Sequence, residues 1–418
     1  MRRILPALQA VILVLAASPA WAQPLAVWTE LTGQGTELRA AVSPGGCPKA
    51  VVDGRPAAMA VRAQASAEFP QVCALALPAG AASVEVEGQR LPLPSAAPRR
   101  IVILGDTGCR IKGLKVQACN DARAWPFAEV ARLAAARKPD LVIHVGDYYY
   151  RESPCPLQVK VCAGSPSGDR WDTWAAEFFG PSAPLLAAAP WVFARGNHEA
   201  CDRGGRGWFV LLDAGPAPAT CLDYTAPFAV RAGDLNLYVI DSGEVDDRSH
   251  AKDEVAAVAG QLDRFGATLD LGRGWIITHR PIWGLAPVAR VGPTAPFEVG
   301  LNFAEQDAAR GRALGGVQMV VSGHVHHFQA LDFGPKRPAQ LVVGTGGDIG
   351  EKADLPRVYT ERRVIDGLDA GVFSFSRYGY YLMEKDGADW IGTFHDSDDH
   401  VRARCRLHER RLNCQAMH

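Results

Sequence analysis

From residue 101 onward the chain repeats one pattern, an apolar run that stops on a polar or charged residue. Three runs close through glycine: Ile101-Val102-Ile103-Leu104-Gly105-Asp106, Leu141-Val142-Ile143-His144-Val145-Gly146-Asp147 and Trp191-Val192-Phe193-Ala194-Arg195-Gly196-Asn197. Leu237 to Asp241, Trp275 to His279 and Val317 to His324 continue the series. Uninterrupted apolar runs of this length read as strands buried on both faces. Helical periodicity lies between them, over 127–137 and 253–269. Strands alternating with helices give an α/β layered domain. Ligands in such sheets sit beyond the carboxyl ends of the strands. Those ends carry Asp106, Asp147, Asn197, His279, His324 and His326.

The flanks have another rhythm. Over 24–97, short apolar stretches alternate with turns such as Ser43-Pro44-Gly45-Gly46, which predicts a small β domain joined through 92–98. Near the end, apolar segments at 390–394 and 401–407 flank His395-Asp396-Ser397-Asp398-Asp399-His400. A solvated hairpin turn is the favoured reading of that hexapeptide, with a metal site as the alternative. Met1-Arg2-Arg3, an apolar stretch to Ala17 and Ala20-Trp21-Ala22 have the layout of a secretory signal peptide. The expected boundaries are 1–22 for the signal, 23–97 for the β domain, 98–395 for the catalytic domain and 396–418 for a C-terminal hairpin packed on it.

Composition narrows the function classes. A hydrophobic fraction of 48% over 418 residues builds a sizeable core. Lys+Arg number 44 against 45 Asp+Glu, so no basic footprint for nucleic acid is evident. Loss of 1–22 would remove two arginines and no acid, and no later stretch is apolar enough to anchor the chain in a bilayer. Cysteine changes the picture most. Ten lie beyond the signal segment and fall into neighbouring couples: Cys47 with Cys73, Cys109 with Cys119, Cys155 with Cys162, Cys201 with Cys221, Cys405 with Cys414. Neighbour pairing is the simplest of the connectivities that sequence leaves open. A structural zinc site is the rival, but no C-x2-C couple occurs, and export favours bridges. The chain is expected in the periplasm or secreted.

Oxygen and imidazole donors at strand ends suit hard or borderline cations. In Gly323-His324-Val325-His326, alternation of an extended segment sends both imidazoles to one side. The ordered blocks Gly105-Asp106-Thr107-Gly108, Gly146-Asp147-Tyr148-Tyr149-Tyr150, Gly196-Asn197-His198-Glu199, Ile276-Ile277-Thr278-His279 and Gly323-His324-Val325-His326 resemble those of calcineurin-like metallophosphoesterases. Within that superfamily they resemble the purple acid phosphatase branch, because Gly108 stands where most members carry a ligand histidine and Tyr150 is supplied instead. The resemblance implies an αββα sandwich. It implies Fe(III) held by Asp106, Asp147, Tyr150 and His326, and Zn(II), Fe(II) or Mn(II) held by Asp147, Asn197, His279 and His324. Tyr148 and Tyr149 are the alternatives to Tyr150. Two carboxylates, a tyrosinate and a bridging hydroxide carry four negative charges, so one trivalent and one divalent ion leave a single positive charge for phosphate.

The implied reaction is hydrolysis of phosphate monoesters by direct in-line attack of a metal-bound hydroxide. His198, beside Asn197 and without a metal role in the family pattern, is expected to protonate the leaving alkoxide and hold the phosphate. Glu199 is expected to orient a ligand imidazole. A phosphodiesterase or nucleotide-directed enzyme with the same metals remains open, as does a catalytically silent metal- or phosphate-binding protein. Arg110, Arg151, Arg195 and Arg280 neighbour motifs and are expected in structural ion pairs. His144 reads as a core histidine, and His327 as cleft-lining or exposed.

Overall fold

Along the strand Arg100–Leu104 the side chains alternate: Ile101 and Ile103 join one buried cluster, Val102 and Leu104 another. Leu141–His144 behaves alike, with Leu141 and Ile143 on one side and Val142 on the other. Both faces are covered, and this is why these runs lack polar alternation. The computed structural model describes residues 24–271, 273–287, 297–299, 301–349 and 358–417. The expected signal segment lies outside the described residues.

The inner cluster is shared with a second sheet, which contributes Leu237, Val239, Trp275, Ile277, Met319 and Val321. Helices cover the two outer faces. Phe127, Val130, Ala131 and Ala134 of helix Phe127–Ala136 pack on the first sheet. Val258 and Leu262 of helix Lys252–Phe265, with Ala304 and Ala308 of helix Phe303–Ala309, pack on the second. The architecture is an αββα sandwich.

The first sheet has eleven strands. At its centre Arg100–Leu104, Leu141–His144 and Trp191–Phe193 run parallel. Gly379–Asp386 pairs antiparallel with Arg100–Leu104, and the strands Asp389–Asp396, Val401–His408 and Arg411–Ala416 extend that edge as a meander. On the other side Pro24–Thr32 pairs parallel with Trp191–Phe193, with Glu30 opposite Trp191. The N-terminal segment keeps a cluster of its own around Leu38, Val42, Val52 and Val84, yet its first strands continue the first sheet. Arg39 bolts the two together. It is fully buried, pairs with Glu30 at 2.9 Å and donates to the carbonyls of Leu211 and Asp213.

The second sheet has eight strands. Leu235–Val239, Gly274–Ile277, Val317–Ser322 and Ala339–Val343 run parallel in it. Five disulfides join Cys47–Cys73, Cys109–Cys119, Cys155–Cys162, Cys201–Cys221 and Cys405–Cys414. No helix among the described residues is long and apolar enough to cross a membrane.

Candidate metal centre

Three strand ends turn sharply where they meet. Asp106, Asp147 and His324 all adopt left-handed backbone, with φ of 56°, 60° and 68°. For non-glycine residues this conformation costs energy and persists only where neighbours over-determine it. They do so here: Asp106 N–H donates to the Gly146 carbonyl, Asp147 N–H to Glu199 at 3.0 Å, and His324 N–H to Asp106 at 3.0 Å. The turns bring these side chains together at the strand ends, where Asp106 and Asp147 are buried.

Two donor groups result, and they share Asp147. Asp147, His279 and His324 form one, and Asp106, Asp147 and His326 the other, with ligand atoms inside 4.8 Å of one another. The Asn197 Oδ1 lies 3.0 Å from His279 Nε2 and 2.9 Å from His324 Nδ1, which adds it to the first group. The Tyr150 hydroxyl lies 2.8 Å from Asp147, 3.2 Å from Asp106 and 3.0 Å from His326 Nε2, which adds it to the second. Tyr148 instead donates to the Ala194 carbonyl, and Tyr149 stacks on Trp174 and makes no hydrogen bond to the donor side chains among the described residues. Outer partners set the ring nitrogens: His279 Nδ1 faces the Val145 carbonyl at 2.8 Å, and His326 Nδ1 the Ile349 carbonyl at 3.0 Å. Each ring thereby presents its Nε2 lone pair inward. Four oxygen donors and three imidazoles, with one carboxylate between the halves, fit a pair of hard or borderline cations.

Charge around the donors is strongly perturbed. Burial, together with the Asp147, Asp106 and Asp348 carboxylates, pushes the Tyr150 phenol far above its ordinary range. Only a strongly positive partner offsets such a field. Burial pulls the His198 imidazole down to about 4, against the upward pull of Asp147 and Glu152. Its ring lies against Tyr150, with centroids 3.8 Å apart, and its Nε2 is 4.0 Å from Asp147. His198 Nδ1 stands 2.9 Å from the Glu152 carboxylate, which Lys112 and Arg203 also approach.

Glu199 departs from expectation. Its carboxylate contacts no imidazole; it accepts the N–H groups of Gly196, Asp147, Tyr148 and Tyr149 at 2.8–3.0 Å. It therefore locks the two donor-bearing turns to each other. The physical reason is geometric: the turn Asn197–Glu199 points this side chain back at the backbone donors that the left-handed Asp147 leaves unpaired. Glu177 plays a matching part, accepting from Cys109, Tyr150 and Arg151.

Arg151 pairs with Glu177, and Arg195 with Asp241 and Glu244. Arg110 pairs with Asp348 and lies over the Tyr150 ring, while Arg280 pairs with Asp247. His144 is a packed core residue, stacked on Tyr148 with Nε2 3.0 Å from the Thr107 hydroxyl. His327 is fully buried, which rules out the exposed position. Four carboxylates at the site stand outside the sequence motifs: Glu152, Glu177, Asp247 and Asp348. A signal existed for Asp348 alone, since Leu341-Val342-Val343-Gly344-Thr345-Gly346-Gly347-Asp348 repeats the run-then-glycine pattern.

The fold has counterparts among solved structures. It superposes on a purple acid phosphatase from yellow lupin (Lupinus luteus) seeds with a TM-score of 0.57 at 14% identity, covering 94% of this chain and 74% of that one. On PhoD the TM-score is 0.56 at 12% identity, covering 94% and 93%. Identities this low speak for the fold alone. No curated protein sequence matches the chain. Residues 99–328, which hold every one of the metal-donor side chains above, match the model of the calcineurin-like phosphoesterases, and with more than half its length in that match the chain belongs to that family.

Proposed function

We propose that this phosphoesterase is an exported phosphatase of the purple acid phosphatase type, acting on phosphate monoesters. The observation that carries the reading is the Tyr150 hydroxyl, set within 3.2 Å of Asp106, Asp147 and His326 at the core of one donor group. A phenol surrounded by carboxylates suits a ferric ion, with Asp106, Asp147, Tyr150 and His326 as its holders. Asp147, Asn197, His279 and His324 would hold the divalent ion, Zn, Fe or Mn. When bound, the pair supplies Lewis acidity toward phosphate oxygens and a nucleophile for in-line displacement.

The chain's own residues do the rest. Asp147 fixes the spacing of the two halves, and Glu199 fixes Asp147. His198, pinned against the Tyr150 ring, carries the proton for the leaving alkoxide from its Nε2. Glu152 lies 2.9 Å from that ring's Nδ1, while Nε2 faces Asp147 and is the working nitrogen. The five disulfides support export.

Metal analysis of the purified protein, with parallel assays on a nitrophenyl monoester and a bis-nitrophenyl diester, tests the reading. The expected result is two ions per chain, one of them iron, a coloured protein and faster turnover of the monoester. An iron-loaded but colourless protein, or a preference for the diester, would overturn it.

A further inference from the structure

His324 is contested from its outer side. Its Nε2 lies 2.9 Å from Asp247 Oδ1 and 2.8 Å from Arg280 Nη1, and these two groups also pair with each other. Its Nδ1 faces Asn197 Oδ1 at 2.9 Å, on the side of the donor group shared with His279 and Asp147. The two outer partners demand opposite tautomers. A guanidinium has only N–H to offer, so it favours a bare Nε2 and drives the ring proton onto Nδ1. A carboxylate only accepts, so it favours Nε2–H and leaves Nδ1 with its lone pair. Arg280 is held in place, 7% exposed, with Nε on the Ser242 carbonyl and its own N–H on the Ser242 hydroxyl. Asp247 is anchored through its carbonyl, which accepts the Asn302 N–H at 2.6 Å.

We infer that Asp247 is a positioning residue that decides the His324 tautomer, overriding Arg280 and keeping Nδ1 free to bind the divalent ion. No strand-end motif contains Asp247; it comes from the loop after the strand Leu235–Val239. The inference rests on the two-metal reading proposed above. Arg280 has a double part in it: paired with Asp247 it is neutralised as a rival for Nε2, and without Asp247 it becomes the group that shuts the site.

The test is the affinity for Zn2+ of the full mature protein after selective removal of its divalent ion, measured by competition with a coloured chelator. Asp247→Ala is expected to weaken Zn2+ binding by about 10–100-fold, with iron content unchanged. Asp247→Asn keeps an acceptor oxygen and is expected to lose less; it serves as the readout if the alanine variant folds poorly. The double variant Asp247→Ala/Arg280→Met is expected to recover most of the loss, because the competing donor is gone. A merely structural loop residue would not be rescued by a second substitution. Unchanged Zn2+ affinity in both single variants would overturn the inference, and so would a double variant no better than Asp247→Ala. A parent protein that takes up no second ion would instead defeat the two-metal reading, so the two failures are distinguishable.

Discussion

His198 and Tyr150 face each other across 3.8 Å, and their environments push them in opposite senses. Burial holds His198 down at about 4, so its imidazolium, the proton donor, grows as pH falls from neutrality toward 4. Turnover of alkyl phosphates is therefore expected to rise over that range, while a nitrophenyl ester, which leaves without help, shows a flatter profile. His198→Ala should keep its metals and lose about 10²–10⁴ in kcat on the alkyl substrate, with the acid limb gone. Equal rates for variant and parent would refute the role. The same shift costs stability: the unfolded imidazole, at 6.5, binds a proton that the fold rejects, so stability falls as pH drops from 6.5 to about 4. At Tyr150 the expected outcome is spectroscopic. Tyr150→Phe should abolish the visible absorption of the iron-loaded protein, and a variant that keeps its colour would assign the band elsewhere.

The decisive elements are the turns that leave the strand ends. Gly146 precedes Asp147 with φ of 101°, and a Cβ placed there would come 2.5 Å from His279 Nδ1 and 2.8 Å from the Gly196 backbone. Gly146→Ala is expected to disrupt both donor groups at once, lowering Tm and metal content together; metal analysis and a melting curve on one sample check this. The Gly-Asp and Gly-His-x-His turns were legible because each lies in one short stretch of chain, where strand periodicity dictates what stands at the end. Glu152 and Asp247 were not, and Asp348 was marked only by the run-then-glycine pattern of its strand. They reach His198, His324 and His326 from separate loops, and no local rule ties an acid in one loop to an imidazole in another. Glu199 was legible as a neighbour of the site and misread in its task, because the direction of its side chain depends on the turn in which it stands.

On the scale of the whole molecule, the N-terminal segment is structural to the catalytic sheet. Trp28 packs on Phe179, Arg39 holds two carbonyls near residue 212, and Pro24–Thr32 covers the edge of Trp191–Phe193. Removing residues 24–97 would bare that edge and strand buried polar groups, so the truncated chain is expected to lose soluble yield and activity on small and large substrates alike. A soluble truncation active on small esters would instead mark the segment as a rim for the cleft. The bridges give a simpler check: thiol titration of the unfolded, unreduced protein should find essentially none, and reduction should release ten.

By itself the sequence determined the donor-bearing strands, the covering helices Phe127–Ala136 and Lys252–Phe265, the order of donor-bearing ends and the family, since each depends on periodicity or on a few adjacent residues. Only the tertiary structure decided which strands share a sheet, that Gly379–Asp386 lies beside Arg100–Leu104, and that the N-terminal strands extend the catalytic sheet. It alone decided which carboxylate stands behind each imidazole. Such choices are set by packing and charge pairing between segments remote in the chain, where sequence carries the partners but not their distance.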